Sequence, residues 1–543
     1  MAFYKYFWDL SSSTTYTTHT IGSFDANCTT GSGTFRWVPF VNNTSITNIP
    51  GIRIKPTAQS TGYWERVFDG AVNVGWFGCQ NTTSTPSTFA SLGVSQATLD
   101  ARYGAGFATT ADYYDNTAIR YALYMMGSSA GYQSLNFEAK TYWLSRSCEL
   151  PVTYATGGNP RNMFIIDGNG ANIRKVGVDQ FDYFRRVPST NTDAVNIYIN
   201  TGFTFKNFKA DGSGGTWQSS GYSFLFLGAT YGSIIENIFL QNFDNGIRLE
   251  FCMGANVTNI FTNNIKSYSL WIKPGSWTGA ALTNASSNVC EVSHIRVFDS
   301  INQIAGIAIL DSDTSVIRQC IVEGTGTPQY GILLDSLNST VAPNGVIEDC
   351  HIETVCTKGA VYVKPRSSTS INVNNIYVQY AQNIVAMEAA AFPSSAYPKV
   401  VINNIPYWPT GSTFLNIGTG NKWDLSNVQI NSYLTSNTQI VSPSSTSVVS
   451  SASGSGSLMT YTTAAPHSFV AGQRVTVTGL TPTTYNVTNG VITSVGSSTF
   501  TVAGTETAAS SGTGSATQGQ LWDTTTANGT IPSSGNVRWT TPL

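Results

Sequence analysis

The stretch Ile235-Glu236-Asn237-Ile238-Phe239-Leu240 contains the pattern that decides the fold, because its order of apolar and polar residues recurs along the chain. An apolar residue stands two places before a polar one, and apolar residues stand one and three places after it. Nine polar residues, at intervals of 22 to 35 residues, occupy the central position: Asn207, Asn237, Asn259, His294, Gln319, Asp349, Asn375, Asn404 and Asn427. Only Thr262, three places after Asn259, departs from the apolar pattern.

This repeat predicts a bend at each central residue. Side chains alternate along a strand, so residues two before and one after the bend cannot face the same side of a straight strand. Asn tolerates the left-handed backbone that a tight bend requires. A further apolar strand follows in most repeats, as in Gly306-Ile307-Ala308-Ile309 and Gly331-Ile332-Leu333-Leu334. The pattern therefore indicates an all-β solenoid with three strands per coil, in which bend side chains one coil apart hydrogen-bond as a ladder.

Composition restricts the classes of partner. Only 11% of the 543 residues are charged, the formal net charge is -2, and no Lys/Arg cluster is present. We therefore expect no nucleic-acid partner and, without a long apolar segment, no membrane insertion. The eight cysteines show no paired spacing, which predicts free, mostly buried thiols and a reducing compartment of assembly. The four dispersed histidines argue against a metal site, and nothing in the sequence calls for a cofactor.

Segments near the start of the repeats resemble a known superfamily. They are Tyr114-Asp115-Asn116-Thr117-Ala118-Ile119, Lys140-Thr141-Tyr142-Trp143-Leu144 and Leu150-Pro151. Together they resemble the opening of the pectate-lyase-like right-handed parallel β-helix that is common in bacteriophage tail spikes and tail fibres. The sequence departs from that family where Asp115-Asn116 replaces an acidic pair, and where residues 80–111 lengthen the entry to the helix. The resemblance implies a homotrimer with an N-terminal region that attaches to the virion.

Pattern and resemblance together predict the domain layout. An amphipathic helix, capped by Asp115 or Asn116 and ending near residue 127, should cover the open N-terminal end of the coils. A small all-β module should follow the coils and a Ser-rich linker. The expected domains are a virion-attachment region at 1–70, an entry segment with the capping helix at 71–134, the parallel β-helix at 135–440, the linker at 441–458, the β module at 459–520 and a C-terminal tail at 521–543.

Carboxylate pairs are the candidates for catalysis, because hydrolysis of a glycosidic bond uses two carboxyl groups. Glu323 and Glu353 both stand four places after a bend in successive repeats, and Asp299 lies one repeat earlier. If they lie close together, one of the carboxyl groups should have a raised pKa. Solvated surface carboxylates remain the alternative interpretation. Asp311 and Asp313, in a loop after another strand, form an alternative pair.

Six equivalent positions in successive repeats, five of them charged, form a column with two interpretations. Several aromatic residues also have two interpretations. The column alternates in sign for much of its length, which favours surface ion pairs: Glu250, Lys273, Leu310, Asp335, Lys364 and Glu388. Outward aromatic residues could stack on sugars or pack between the subunits of a trimer. The candidates for sugar stacking are Trp271, Tyr362 and Tyr377.

With these residues, the resemblance leads to three hypotheses about function. The first is a tail spike or fibre protein of the virion, assembled in the host cytoplasm, which binds phage tail proteins through its N-terminal region and recognises host-surface polysaccharide. The second adds cleavage of that polysaccharide by a hydrolase or a lyase, of which we favour the hydrolase. The third is a non-enzymatic structural fibre or adaptor of the tail. The sequence leaves open whether the protein is an enzyme.

Overall fold

The computed structural model describes most of the chain, in two compact units. The units are Met1–Leu270 with Gly275–Ala285, and Trp271–Pro274 with Ser286–Leu543. None of the helices in the described part has the length and apolar character needed to span a membrane. The described residues are 2–12, 18–28, 30–41, 43–46, 48–57, 59–126, 132–151, 162–187, 201–213, 221–275, 287–299, 303–312, 314–335, 344–364, 369–387, 399–405, 413–417, 428–431, 439–441, 446–467, 469, 471, 474–488, 490–518, 522–523 and 537–539.

A five-stranded sheet opens the first unit. Its strands, in the spatial order β1-β2-β3-β5-β4, are β1 (Ala2–Tyr6), β2 (His19–Ser23), β3 (Gly33–Val38), β4 (Arg53–Ile54) and β5 (Tyr63–Arg66). The buried Arg66 guanidinium donates hydrogen bonds to the carbonyl oxygens of Gly31, Ser32 and Gly51 at 2.8, 2.7 and 2.6 Å. Arg66 therefore binds the carbonyl groups of three loop residues to β5, the strand on which it lies.

Two α-helices precede the coils, α1 (Gln96–Tyr103) and α2 (Tyr114–Met126). The second is the predicted capping helix, and it packs on β7 (Ser134–Asn136), β8 (Thr141–Leu144) and β9 (Cys148–Glu149), while β6 (Val72–Asn73) pairs with β7. Asp115 lies inside the first turn of α2 and does not cap it, which corrects the predicted start. Its carboxylate accepts hydrogen bonds from the backbone of Gln80, Asn81 and Trp143. Short 3-10 helices span Phe7–Ser12, Asn43–Ser45, Val74–Phe77, Ala90–Leu92 and Thr483–Tyr485.

The rest of the first unit consists of parallel β coils. The strands are β10 (Asn162–Lys175), β11 (Phe184–Arg186), β12 (Thr201–Asp211), β13 (Ser223–Tyr231), β14 (Ile234–Gln241), β15 (Asn245–Met253) and β16 (Asn256–Asn263). One series of in-register parallel pairs joins β10, β12, β14 and β16, and a second joins β9, β11, β13 and β15. Residues on successive coils consequently stand directly above one another, about 4.8 Å apart.

The second unit repeats this arrangement. Strand β17 (Tyr268–Lys273) begins in the first unit and ends in the second. The strands that follow are β18 (Cys290–Phe298), β19 (Ala305–Leu310), β20 (Ser315–Arg318), β21 (Ile321–Glu323), β22 (Tyr330–Asp335), β23 (Gly345–Glu348), β24 (His351–Glu353), β25 (Gly359–Val363), β26 (Ser370–Asn374), β27 (Tyr377–Val378), β28 (Asn383–Met387), β29 (Lys399–Asn403), β30 (Thr413–Ile417), β31 (Val428–Asn431) and β32 (Gln439–Val441). Parallel pairs join β19, β22, β25, β28, β30 and β32. Both units therefore have the predicted fold, a right-handed parallel β-helix with three strands per coil.

The bends lie where the sequence places them. Eight of the nine central residues have a left-handed backbone, with φ between 44° and 63°; the ninth, Asn427, lies outside the described residues. Their side chains form the predicted ladder. The Nδ2 atoms of Asn237 and Asn259 donate to the Oδ1 atoms of Asn207 and Asn237 at 3.1 and 3.2 Å, and Asn404 donates to Asn375 at 3.1 Å.

Aromatic rings fill the interior of the first unit, where Phe205 and Phe208, either side of a bend, stack at 4.6 Å. At later bends the residue two places before the bend is aliphatic and buried, as at Ile235, Ile317 and Ile347. All eight cysteines are free and buried, as predicted.

A separate antiparallel barrel forms the C-terminal module. Its strands are β33 (Thr446–Gly454), β34 (Leu458–Thr463), β35 (Arg474–Thr478), β36 (Gly490–Val495), β37 (Thr499–Ala503) and β38 (Gly514–Gln518). Strand β33 occupies half of the segment predicted as a linker, and the prediction is wrong there: Val449 and Ala452 are buried in the barrel core, while the serines around them face outward. Two further strands, β39 (Trp522–Asp523) and β40 (Val537–Trp539), pair with β32 and β31 in the segment expected to be a patternless tail.

Candidate functional site

Two columns of outward side chains run across the coils of the first unit. Residues two and four places after a bend face outward, while the residue between them faces the core, as with Phe239, Leu240 and Gln241. The strand register stacks these outward residues over five coils, in columns about 7 Å apart. The first column is Thr141, Asn172, Lys209, Phe239 and Phe261, and the second is Trp143, Arg174, Asp211, Gln241 and Asn263. We call this surface the outer face of the first unit.

The outer face contains a groove. One cavity of about 460 Å³ is lined by residues of both columns together with Asn81, Thr83 and Lys140. An adjoining cavity of about 380 Å³ extends over the bend residues Asn207, Asn237 and Asn259, and the two cavities share Gly170, Lys209 and Phe239. A concave surface that combines aromatic and polar side chains is typical of a ligand site.

A stacked aromatic pair forms part of the floor of the groove. The rings of Phe239 and Phe261 are parallel within 4°, with centroids 4.9 Å apart, and Phe239 is 37% exposed. Neither residue was among the candidates predicted from the sequence. The available signal was the sequence Asn-Ile-Phe in two successive repeats, which places a phenylalanine at the outward position two places after the bend in each of them.

Cations from three coils meet at one end of the groove. Lys140 forms an ion pair with Glu138 at 2.5 Å. The Arg174 guanidinium lies over the Trp143 ring at 5.8 Å, and its buried Nε has no hydrogen-bond partner among the described residues. Lys209 is exposed. Within the described part of the chain, neither Arg174 nor Lys209 forms an ion pair.

Asp211, beside Arg174 in the strand register, belongs to a second amide ladder. Its Oδ1 accepts hydrogen bonds from Asn242 Nδ2 and from the Ser213 backbone, both at 2.9 Å, and its Oδ2 accepts from Gln241 at 2.9 Å. Burial raises the pKa of Asp211, but these hydrogen bonds outweigh burial and lower it below its ordinary value. Asn264 continues the ladder by donating to Asn242 at 2.7 Å. Both oxygens of the Asp211 carboxylate, in the wall of the groove, therefore accept hydrogen bonds from amide N–H groups of the protein.

The predicted catalytic pair lies in the second unit. Glu323 and Glu353 are directly paired in the parallel register, so their backbones are about 4.8 Å apart. Each carboxylate also has a cationic or ionisable neighbour. Arg296 donates to Glu323 through Nε at 2.7 Å and lies within 2.5 Å through Nη2, and His351 Nε2 lies 3.4 Å from Glu353. The strand register thus places the two residues on adjacent coils, and each carboxylate has a partner that the sequence did not reveal.

Asp299 has a structural position at a bend. Its φ is 46°, and its Oδ1 accepts hydrogen bonds from the backbone and hydroxyl of Thr325 at 2.9 and 3.1 Å. Gly324 lies against it with φ of 114°, and a Cβ atom there would be 2.5 Å from the Asp299 backbone nitrogen. These contacts explain both residues as parts of a corner between two coils.

The other charged residues considered in the sequence lie in different environments. Asp311 is buried, with its backbone amide donating to the Asp335 carbonyl, while Asp313 and Glu388 lie outside the described residues. In the alternating column, Lys364 and Asp335 are 3.9 Å apart, which fits the predicted ion pairing. Glu250 instead pairs with Arg248 on its own strand. Within the described part of the chain, no group of three or more His, Cys, Asp or Glu side chains could hold a metal ion.

The three predicted sugar-stacking residues have protein neighbours. Tyr362 is only 8% exposed and packs on Tyr330 at 4.4 Å, so its ring is not open to a sugar and this expectation is wrong. Tyr377 is half-buried, with the His351 ring edge-on at 4.4 Å. Trp271 is half-buried, with the Lys273 ammonium 4.7 Å from its ring centre.

Comparisons with known proteins give matches among solved structures alone. No protein-family model and no curated protein matches the chain. The chain is similar to the tailspike protein of Acinetobacter baumannii phage AM24, at 10% identity and a TM-score of 0.46, over 95% of this chain and 93% of that one. It is also similar to tailspike gp49 of Acinetobacter baumannii bacteriophage Fri1, described as a capsular polysaccharide depolymerase, at 10% identity and a TM-score of 0.37, over 95% and 98% of the chains.

A bacterial protein is also similar. It is Pantoea stewartii WceF, described as a glycan biofilm modifying enzyme with a bacteriophage tailspike-like parallel β-helix fold, at 10% identity and a TM-score of 0.37, over 93% of this chain and 67% of that one. The fold assigned above rests on the strand register of the chain itself.

Proposed function

We propose that this protein is a tail spike or tail fibre protein of a bacteriophage and that it binds host-surface polysaccharide in the groove of the first unit. The observation that carries this proposal is the stacked pair of the exposed Phe239 and the half-buried Phe261 in a polar groove. A sugar ring has an apolar face of C–H groups that packs on an aromatic ring, and a rim of hydroxyl groups that needs hydrogen-bond partners. Asn172 and Gln241, in the same columns, supply amide donors and acceptors for that rim.

The wider proposal assigns roles to the other parts of the chain. Residues 1–70 attach the protein to the tail, three copies form a pectate-lyase-like spike, and the C-terminal barrel assists trimerisation or adds a second binding surface. The protein is assembled in the host cytoplasm. These roles are supported by the sequence resemblance described above. The alternative is a structural fibre or adaptor, which would bind no glycan.

Binding to purified host-envelope polysaccharides tests the proposal. We expect retention of the intact protein on immobilised capsular or O-chain polysaccharide, and a loss of at least tenfold in affinity for Phe239→Ala and Phe261→Ala, since each removes half of the stacked surface. Tyr380→Ala is the matched control, because Tyr380 is 52% exposed on a coil of the second unit and does not line the groove. Equal losses in all three variants, or no binding to any polysaccharide, would reject the proposal.

A second candidate function is cleavage of host polysaccharide at a separate site in the second unit, and the register of Glu323 with Glu353 favours it. In a retaining hydrolase the two carboxyl groups lie about 5 Å apart. One attacks the anomeric carbon and the other protonates the departing glycosidic oxygen; water then hydrolyses the glycosyl-enzyme bond, and both carboxyl groups return to their starting states. Arg296 and His351 would have to release or orient these carboxylates for that role.

Cleavage is tested by assaying reducing ends and the absorbance of unsaturated sugars. If Glu323 and Glu353 are catalytic, the double variant Glu323→Gln, Glu353→Gln should bind polysaccharide and produce no new reducing ends. Glu291→Gln is the matched control, because Glu291 is an outward carboxylate of the same unit, ion-paired with Arg318. Binding without cleavage by the unaltered protein would leave a glycan-binding spike, and absorbance from unsaturated products would indicate a lyase.

A further inference from the structure

The outer face of the first unit has an uneven distribution of charge along its length. In the first column, Lys209 stands one coil from Phe239, which stands one coil from Phe261. In the second column, Arg174 stands one coil before Asp211. Cations therefore lie at the end of the groove formed by the earlier coils, and the aromatic pair lies at the other end.

The carboxylates near these cations are already engaged. Glu138 pairs with Lys140 at 2.5 Å, and both oxygens of Asp211 accept hydrogen bonds from Gln241, Asn242 and Ser213. Asp167, at the neighbouring bend, accepts a hydrogen bond from Asn207 at 2.8 Å and lies 3.8 Å from Lys206. Arg174 and Lys209 therefore face the groove without an ion-pair partner in the described part of the chain.

Unpaired cations in a partly buried site favour an anionic ligand. The buried Nε of Arg174 has lost water without gaining a protein acceptor, and a guanidinium fork matches the two oxygens of a carboxylate or phosphate. Lys209 adds a second positive charge on the next coil, in the neighbouring column and next to Phe239. A negatively charged substituent bound there would compensate both cations.

Resting on the proposed function, we infer that the glycan is acidic: its anionic group binds Arg174 and Lys209, and the next sugar stacks on Phe239 and Phe261. The spacing of the coils supports this arrangement, because adjacent positions in the column, such as Lys209 and Phe239, are about 4.8 Å apart. The ligand must therefore present its anionic group and its stacking face one coil apart. The recognised unit is thus an anionic sugar joined to a sugar with an open apolar face. The anionic group is a carboxylate or a phosphate.

The inference is tested with acidic bacterial capsular polysaccharides, each used in its native form, after chemical reduction of its carboxyl groups to alcohols, and after removal of phosphate. We expect the protein to bind a native acidic polymer at least tenfold more tightly than one of its two neutralised forms, and the form that loses binding identifies the anionic group. Affinity for the native polymer should also fall with rising salt concentration.

Two variants and a matched control locate the interaction. Lys209→Gln and Arg174→Gln should each weaken binding to the native polymer about tenfold or more and leave binding to the neutralised polymer unchanged. Lys206→Gln is the control, because it removes the same charge from the same strand. Lys206 lies near Asp167 and Glu236, outside the groove, so this variant should bind the polymer normally.

The outcomes separate this inference from the proposed function. Equal binding of native and neutralised polymers, still lost in Phe239→Ala, would overturn the acidic ligand and keep the glycan groove. A salt-dependent loss of binding that is the same in Lys206→Gln as in Lys209→Gln would also overturn it, because general surface charge would then account for binding. The absence of binding to every polymer would reject the proposed function itself.

Discussion

The side-chain amide of Asn237 donates to the side-chain oxygen of Asn207 one coil earlier, at 3.1 Å, and both residues have a left-handed backbone, with φ of 56° and 63°. Asparagine thus satisfies two requirements of the coils whose bends it occupies. Its backbone makes the bend, and its amide, as both donor and acceptor, joins the bends before and after it. The ladder is consequently a main determinant of stability along the helix.

We predict that Asn237→Ala destabilises the first unit by about 3 kcal/mol. The variant loses the hydrogen bonds with Asn207 and Asn259, about 1 kcal/mol each, and forces alanine into the left-handed region at a cost of about 1 to 2 kcal/mol. Asn237→Gly removes the same hydrogen bonds without the backbone strain, and should lose less. Thermal unfolding at one fixed heating rate measures both; equal losses would show that strain at the bend is unimportant.

Variants of Asp299 and Gly324 should distinguish a structural role of Asp299 from a catalytic one. Asp299→Asn keeps an acceptor for Thr325 and should leave both stability and any polysaccharide cleavage unchanged. Asp299→Ala should lose about 1 to 3 kcal/mol of stability. Gly324→Ala should lose at least about 2 kcal/mol, because its Cβ would be 2.5 Å from the Asp299 nitrogen. Loss of cleavage in a stably folded Asp299→Asn variant would contradict this assignment.

The buried Arg66 should be essential for the N-terminal sheet. Its guanidinium binds three carbonyl oxygens and lies between the rings of Phe35 and Trp76, 4.7 and 4.6 Å from the ring centres. Arg66→Lys cannot reach all three carbonyl oxygens from one ammonium group, so we expect a loss of about 3 kcal/mol or more. Arg36→Lys is the control, because Arg36 is exposed and makes only a 3.7 Å surface pair with Glu65. Proteolysis of the N-terminal region would report the difference, and equal susceptibility would count against the role of Arg66.

Acidification should stabilise the first unit through Asp115. Burial raises the pKa of this carboxyl group to about 6, although hydrogen bonds from the backbone of Asn81, Gln80 and Trp143 oppose the shift. Between the ordinary pKa of 3.8 and about 6 the folded state binds more protons than the unfolded state, so stability falls as pH rises through this window. The cost at pH 7 is about 3 kcal/mol.

The pH dependence is measured by comparing unfolding midpoints of the unaltered protein and Asp115→Asn from pH 7 to pH 4.5. The unaltered protein should gain stability relative to the variant as the pH falls. At low pH the variant should be less stable than the unaltered protein, because asparagine retains one acceptor oxygen and loses the hydrogen bond from Trp143. Parallel curves for the two proteins would show that Asp115 does not titrate in this range.

The repeat made the coils predictable, because bend and neighbours are local in sequence. Asn207, Asn259 and Asn375 could be assigned from the residues beside them, and their left-handed backbone follows. The groove could not be assigned in this way. Lys209 and Arg174 are 35 residues apart, and their proximity depends on the register of coils of unequal length.

Composition and alternation also misled at particular residues. The serines of 446–454 suggested a linker, whereas the burial of Val449 and Ala452 makes this segment a strand. Tyr362 alternates outward, but Tyr330 packs on it from a neighbouring coil. The repeat assigned Glu323 and Glu353 to equivalent positions of successive coils, and their strand register agrees, but the Arg296 ion pair depends on a contact between coils that no local pattern reports.

The ladder also has a consequence for how such a protein can change. Bends such as Asn207, Asn237 and Asn259 are held by hydrogen bonds to the bend of the adjacent coil, so the length of chain between two bends is free to vary, and here it ranges from 22 to 35 residues. Connecting segments can be exchanged, lengthened or shortened as cassettes while the register survives. A protein of this design can acquire a new recognition surface in one evolutionary step without having to find its fold again.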